Sequence, residues 1–345
     1  MKYLTQLKEK LFAPISTVPA IVQGTYYPSL NGLRGIAILM VIGYHFGVNY
    51  FLRSTPLLVN GDIGVNVFFV ISGFLITTLL LKEQVKYGSI DLNQFYLKRV
   101  LRIVPVAYLF LLVLIVLNQV YKFHVVESSF VSSLLFYKNL PYQQEPFMGH
   151  FWTLAAEMQF YLIFPLLLVL NINRYLMLVL SIVIIVPVIS VLGYYHVGFM
   201  DSDPVIRMVT KITKYTFWNG PFIILIGSLA AVFLFKGIIR IEKVKDNYFL
   251  SFLILLVAVI ISTRSFLFYS KYVSEYLSAI LVAWVILLNL KSRNFLSAIL
   301  SNPVLVKVGV ISYSLYIWQQ LFWAIKHGNP GLSLFILILM GHFLF

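Results

Sequence analysis

Cysteine is absent from the 345 residues. That excludes disulfides, a thiol nucleophile and cysteine-ligated metal. Acidic groups are scarce, with 12 aspartates and glutamates against 26 lysines and arginines. Charged residues make up 11% of the chain, where a soluble domain carries about 25%. A water-soluble enzyme with an ordinary charged surface is thereby excluded. Familiar catalytic signatures are missing too. There is no Gly-x-Ser-x-Gly elbow and no glycine-rich phosphate loop. Six histidines are scattered along the chain, none with the His-Glu-x-x-His spacing of a metal site. No metal site is read.

What the chain has instead is apolar length. It is 60% hydrophobic, with mean hydropathy +0.91. The fold class is all-α, a polytopic membrane helical bundle. Ten apolar runs stand near 33–52, 63–81, 102–120, 152–170, 175–193, 218–236, 248–264, 272–290, 308–326 and 331–345. Each is close to what a hydrocarbon core of roughly 30 Å requires. Pro105, Pro165 and Pro187 fall inside runs, where a membrane bundle tolerates a kink. Residues 1–32 read as a cytoplasmic N-terminal segment and residues 33–345 as the transmembrane domain, without an appended soluble domain. With the N-terminus inside, most lysines and arginines fall on cytoplasmic loops, so the expected topology is N-in and C-in. The net charge of +14 fits those loops and anionic headgroups rather than nucleic acid.

Arg34 and His45 are eleven residues apart. Eleven steps of 100° close three turns plus about 20°, so both lie on one helix face, roughly 16 Å apart. An arginine at the membrane surface and a histidine deep in the bilayer suggest a ligand path, with a phosphate gripped at the mouth and an imidazole working further in. A positive-inside anchor and a satisfied buried histidine are the structural alternatives. Arg99 and Arg102 open the third run three residues apart, on neighbouring turns, where two guanidiniums can grip a pyrophosphate. A plain cytoplasmic anchor is the other reading. Glu157 lies about 10 Å into the fourth run from the opposite side. At that depth a carboxylate protonates or finds a basic partner. His45 is at a compatible depth, and a Glu157–His45 pair would fix the tautomer a general base needs. A structural ion pair or a proton relay would use the same two residues.

These pieces resemble the integral-membrane acyltransferase 3 family. The resemblance rests on Asn31-Gly32-Leu33-Arg34-Gly35-Ile36-Ala37, Tyr44-His45-Phe46, and Gly64-Val65-Asn66-Val67-Phe68-Phe69-Val70-Ile71-Ser72-Gly73. It continues through Phe95 to Pro105, His150-Phe151-Trp152-Thr153-Leu154 with Glu157, and Ile311 to Trp318. It covers about residues 28 to 323. Departures are Asn31 for a common aspartate, Met158 for a frequent second glutamate, and Gln319 for a usual histidine.

The resemblance implies about ten membrane helices and an O-acyltransferase. Such an enzyme takes an acyl group, usually acetyl, from cytoplasmic acyl-coenzyme A to an extracytoplasmic polysaccharide or lipid-linked sugar. It implies Arg34 and His45 as the family's arginine–histidine motif, His45 as the catalytic histidine, Arg99 and Arg102 as contacts to acetyl-coenzyme A, and Glu157 as the family's recurrent glutamate. Beyond the resemblance, we expect Arg34 to join the coenzyme A contacts, His45 to act as base or acyl carrier, and Glu157 to orient it. The implied location is the bacterial cytoplasmic membrane. The competing class is a proton-coupled transporter or flippase of a glycan precursor.

Overall fold

The computed structural model describes residues 2–48, 61–140, 146–194, 203–212, 221–241, 248–263, 271–290 and 294–328. Among them regular structure is helical, with no strand. The amphipathic α1 (Lys2–Phe12) leads through an irregular segment to α2 (Pro28–His45). Next come α3 (Gly61–Tyr87), α4 (Leu92–Tyr121) and the short α5 (Glu127–Leu134). Then follow α6 (Phe151–Leu170), α7 (Ile172–Tyr194) and α8 (Pro204–Ile212). The remainder is α9 (Pro221–Phe235), α10 (Leu250–Ser262), α11 (Lys271–Asn289), α12 (Phe295–Leu300), α13 (Pro303–Val310) and α14 (Ser312–Gly328).

Four helices, α3, α4, α6 and most of α7, are long and apolar enough to cross a membrane. Apolar stretches of α9, α10 and α11 are shorter. The chain is therefore a membrane helical protein. Helix ends follow local chemistry. Asp91 caps α4 by accepting from the Gln94 amide at 3.0 Å, and Asn302 caps α13, with Pro303 in the first turn where no amide donor is missed. The run expected at 308–326 is two helices instead. The chain turns at Ile311 between α13 and α14. The run expected at 331–345 lies outside the described residues, as do some of the cytoplasmic-loop lysines and arginines, Lys243, Lys245, Lys291 and Arg293.

The centre of the bundle is α3. Of its most apolar stretch 78% is buried, against 28% for α4. Lipid tails are as apolar as leucine, so helix pairing in a membrane depends on close packing of small residues. The pairing of α3 with α9 shows this. A Cβ on Gly73 would strike the Ile224 carbonyl, and one on Gly227 would strike the Val70 carbonyl. Gly35 and Gly309 make the same reciprocal approach between α2 and α13, against Leu305 and Asn31. A polar stitch joins α3, α7 and α9. Thr77 donates to Ser228 at 2.7 Å, and Tyr175 shares a short hydrogen bond with the same hydroxyl. The N-terminal segment is fastened beneath. Lys236 donates to the Ala13 carbonyl and to Asn173 Oδ1, each at 2.8 Å.

Candidate active site

Two chambers open in series along α3. The first, of about 250 Å³, is lined by Arg34, Ser72, Lys82, Arg99, Arg102 and Glu157, with Tyr161, Tyr313 and Tyr316. The second, of about 460 Å³, is lined by His45, Asp62, His150, Trp152, Gln320 and Trp323, with Val41 and Tyr44. Among the described residues Val65 and Tyr316 line both. Four helices give the same order. On α2 Arg34 belongs to the first chamber and His45 to the second; on α6 Glu157 belongs to the first, while His150, just before its start, belongs to the second. The same order holds for Lys82 and Asp62 on α3, and for Tyr313 and Trp323 on α14. From Val65 to Lys82 the first chamber follows α3 for roughly 26 Å.

The structure brings Arg34, Arg99, Arg102 and Glu157 together and sets His45 apart. Three guanidiniums and the Lys82 ammonium face one carboxylate, which leaves the first chamber with a positive excess. The Arg99 guanidinium lies over the rings of Phe95 and Tyr161, at 5.5 and 5.8 Å. Its Nε is buried without a hydrogen-bond partner. Arg102 is exposed at the same mouth. Lys82 donates to the Gly24 carbonyl at 2.6 Å and to the Tyr27 hydroxyl at 3.2 Å. The N-terminal segment thereby forms part of the wall.

The expected Glu157–His45 pair is replaced by other partners. The Glu157 carboxylate accepts from Ser72 at 2.6 Å and, through a shorter bond, from Tyr161. Tyr161 sits four residues on, one turn along the same helix face. The His45 ring points its Nδ1 at the Val41 carbonyl, 2.9 Å away, on its own helix. A carbonyl only accepts, so Nδ1 carries the hydrogen and Nε2 keeps its lone pair in the neutral ring. The backbone thus fixes the tautomer that the sequence reading assigned to Glu157.

Several lining residues entered the sequence reading only as part of the resemblance, without a role. Tyr313 donates to the Ile103 carbonyl at 2.8 Å, which ties α14 to α4 near Arg102. Thr153 donates to the His150 carbonyl and lies 2.9 Å from the Tyr316 hydroxyl. A signal existed on α6. His150, Thr153, Glu157 and Tyr161 recur at steps of three and four, the spacing of one helical face.

The sequence model of a family described as acyltransferase domain matches residues 27–345. A protein of Staphylococcus aureus (strain COL) named "Putative O-acetyltransferase" is 30% identical over 318 residues, covering 85% of this chain and 50% of its own length. The peptidoglycan O-acetyltransferase OatA of Listeria monocytogenes is 29% identical over 322 residues, covering 85% of this chain and 49% of its own. The O-acetyltransferase OatA of Staphylococcus aureus (strain NCTC 8325) is 32% identical over 182 residues, covering 48% and 27%. The chain thus spans about half the length of the first two relatives. No solved structure matches it.

Proposed function

Because the chain belongs to the acyltransferase domain family, we propose that it is a membrane O-acyltransferase, moving an acetyl group from acetyl-coenzyme A to a hydroxyl of an extracytoplasmic glycan. The observation that carries this reading is the convergence of Arg34, Arg99 and Arg102 on one chamber that adjoins the chamber of His45. In this reading the bundle has ten spans with both ends inside, in the bacterial cytoplasmic membrane. The arginine chamber opens to the cytoplasm. The acceptor is a cell-envelope polysaccharide or lipid-linked sugar, in keeping with the peptidoglycan in one relative's name.

The donor set fits a phosphorylated ligand. Guanidiniums bind phosphate oxygens with paired hydrogen bonds, and one of the three has a buried nitrogen to spare. Glu157, held by Ser72 and Tyr161, balances part of that charge. His45 Nε2 takes the proton from the acceptor hydroxyl while its oxygen bonds the acyl carbon. The carbon–sulfur bond breaks, and His45 returns the proton to the departing sulfur. In the covalent variant His45 Nε2 bonds the acyl carbon, the carbon–sulfur bond breaks and the thiolate departs; the acceptor oxygen then bonds the acyl carbon, the carbon–nitrogen bond breaks, and the hydroxyl proton passes to the thiolate. Donor and acceptor arrive from opposite faces, so a reaction midway through the bundle meets both.

The test has two parts. Acetyl-coenzyme A raises the melting temperature of the purified protein, and the rise shrinks in Arg99→Ala and Arg102→Ala. Mass spectrometry of surface glycans finds one acetyl group lost in cells carrying His45→Ala. If wild type shows no thermal shift and no glycan change, the proton-coupled carrier becomes the better reading.

A further inference from the structure

His150 is a buried polar group that the site above leaves unused. It is 5% exposed. Neither ring nitrogen makes a hydrogen bond of good geometry, although the Ile317 backbone interacts with the ring. A buried donor and acceptor both left unpaired destabilise a fold, so native proteins rarely keep them without another use. The ring is held firmly. It packs edge-on against Phe110, Phe151 and Tyr316, with centroids 5.3, 5.0 and 5.7 Å away. Its backbone carbonyl is pinned by Thr153 at 2.9 Å. It lines the second chamber with His45, within electrostatic range of that imidazole.

A neutral imidazole offers one N–H donor and one acceptor, which together complement a hydroxyl group. The same chamber holds Trp152, Tyr44 and Trp323, apolar ring surfaces of the kind that cover the C–H faces of a sugar. We propose that His150 is a second acceptor-binding imidazole, which hydrogen-bonds a hydroxyl of the sugar beside the one that His45 deprotonates. The second chamber is then a subsite for a polyhydroxylated ring rather than for a simple alcohol. This rests on the acyltransferase reading.

The experiment uses the full chain in lipid nanodiscs, with acetyl-coenzyme A as donor and the envelope glycan of the expressing cells as acceptor. His150→Phe lowers transfer at least tenfold, mainly through a higher KM for the glycan, and His150→Gln recovers part of the loss. The thermal shift by acetyl-coenzyme A is unchanged in both. The melting temperature of His150→Phe without ligand equals or exceeds that of wild type, because an apolar ring replaces an unpaired polar one. Transfer at the wild-type rate in His150→Phe overturns the proposal. So does a lowered melting temperature in both variants with transfer falling only in step with folded protein. Should His150→Phe fail to fold, the acceptor KM of His150→Gln decides: a wild-type value overturns the proposal. Absence of both donor shift and transfer in wild type overturns the acyltransferase reading itself, a result distinct from these.

Discussion

The bond from His45 Nδ1 to the Val41 carbonyl makes the imidazole's tautomer a property of its own helix. No second side chain is needed to set the tautomer. Glu157→Gln therefore leaves the pH profile of acyl transfer where it is, since the carboxylate bonds Ser72 and Tyr161 instead. Were Glu157 the histidine's partner, losing its charge would move the profile by about one pH unit or more. The same variant removes a negative charge from the chamber that holds Arg34, Arg99 and Arg102. Its thermal shift by acetyl-coenzyme A is expected to equal or exceed that of wild type. At this scale the spacing of Arg34, Arg99 and Arg102 was legible in the sequence, and the fold gathers all three at one chamber. It misled on Glu157. Depth along a helix is readable from residue count, but the neighbour across a helix gap depends on rotation and crossing. His150, two turns earlier on the same face of α6, shares the His45 chamber.

The α3–α9 and α2–α13 pairs meet at glycines, and that makes a measurable demand. Gly73→Ala places a methyl group on the Ile224 carbonyl, so α3 and α9 must part. Overpacking of this kind costs about 1–3 kcal/mol, and the loss of the neighbouring contacts adds to it. Gly88, at φ +75 with open space around it, provides the contrast. Alanine there meets only the left-handed penalty of about 1 kcal/mol. Unfolding in graded detergent ranks Gly73→Ala well below Gly88→Ala; the reverse order would discard the close-crossing account. Long elements were legible from hydropathy, since a membrane imposes length. Thus 152–170 in sequence became Phe151–Leu170 in the fold. Short ones were not. Glu127–Leu134 and Phe295–Leu300 are too brief for a period to stand out. The break at Ile311 carries neither proline nor glycine to announce it.

Taken whole, the molecule is ordered by polarity along one axis, with arginines at one end of α3 and histidines at the other. The lack of native cysteine makes the proposed orientation directly testable. Lys86→Cys and Ser128→Cys, both exposed, sit beyond opposite ends of α4. In intact cells a membrane-impermeant maleimide labels Ser128→Cys and spares Lys86→Cys; in inverted vesicles the preference reverses. Labelling of both positions from one side would remove the N-in topology and with it the assignment of the arginine chamber to the cytoplasm.

The pair of residues common to both chambers, Val65 and Tyr316, has an electrical meaning. A membrane holding a voltage charges about 2.3 kcal/mol per 100 mV for each unit charge that crosses it. In the proposed orientation the bundle is hollowed from both ends, and it survives in such a membrane only while something insulating stands between the hollows. Tyr316→Gly thins that barrier, and cells carrying it are expected to leak protons, read with a voltage-sensitive dye. The tyrosine is then as much an insulator as a part of the reaction site.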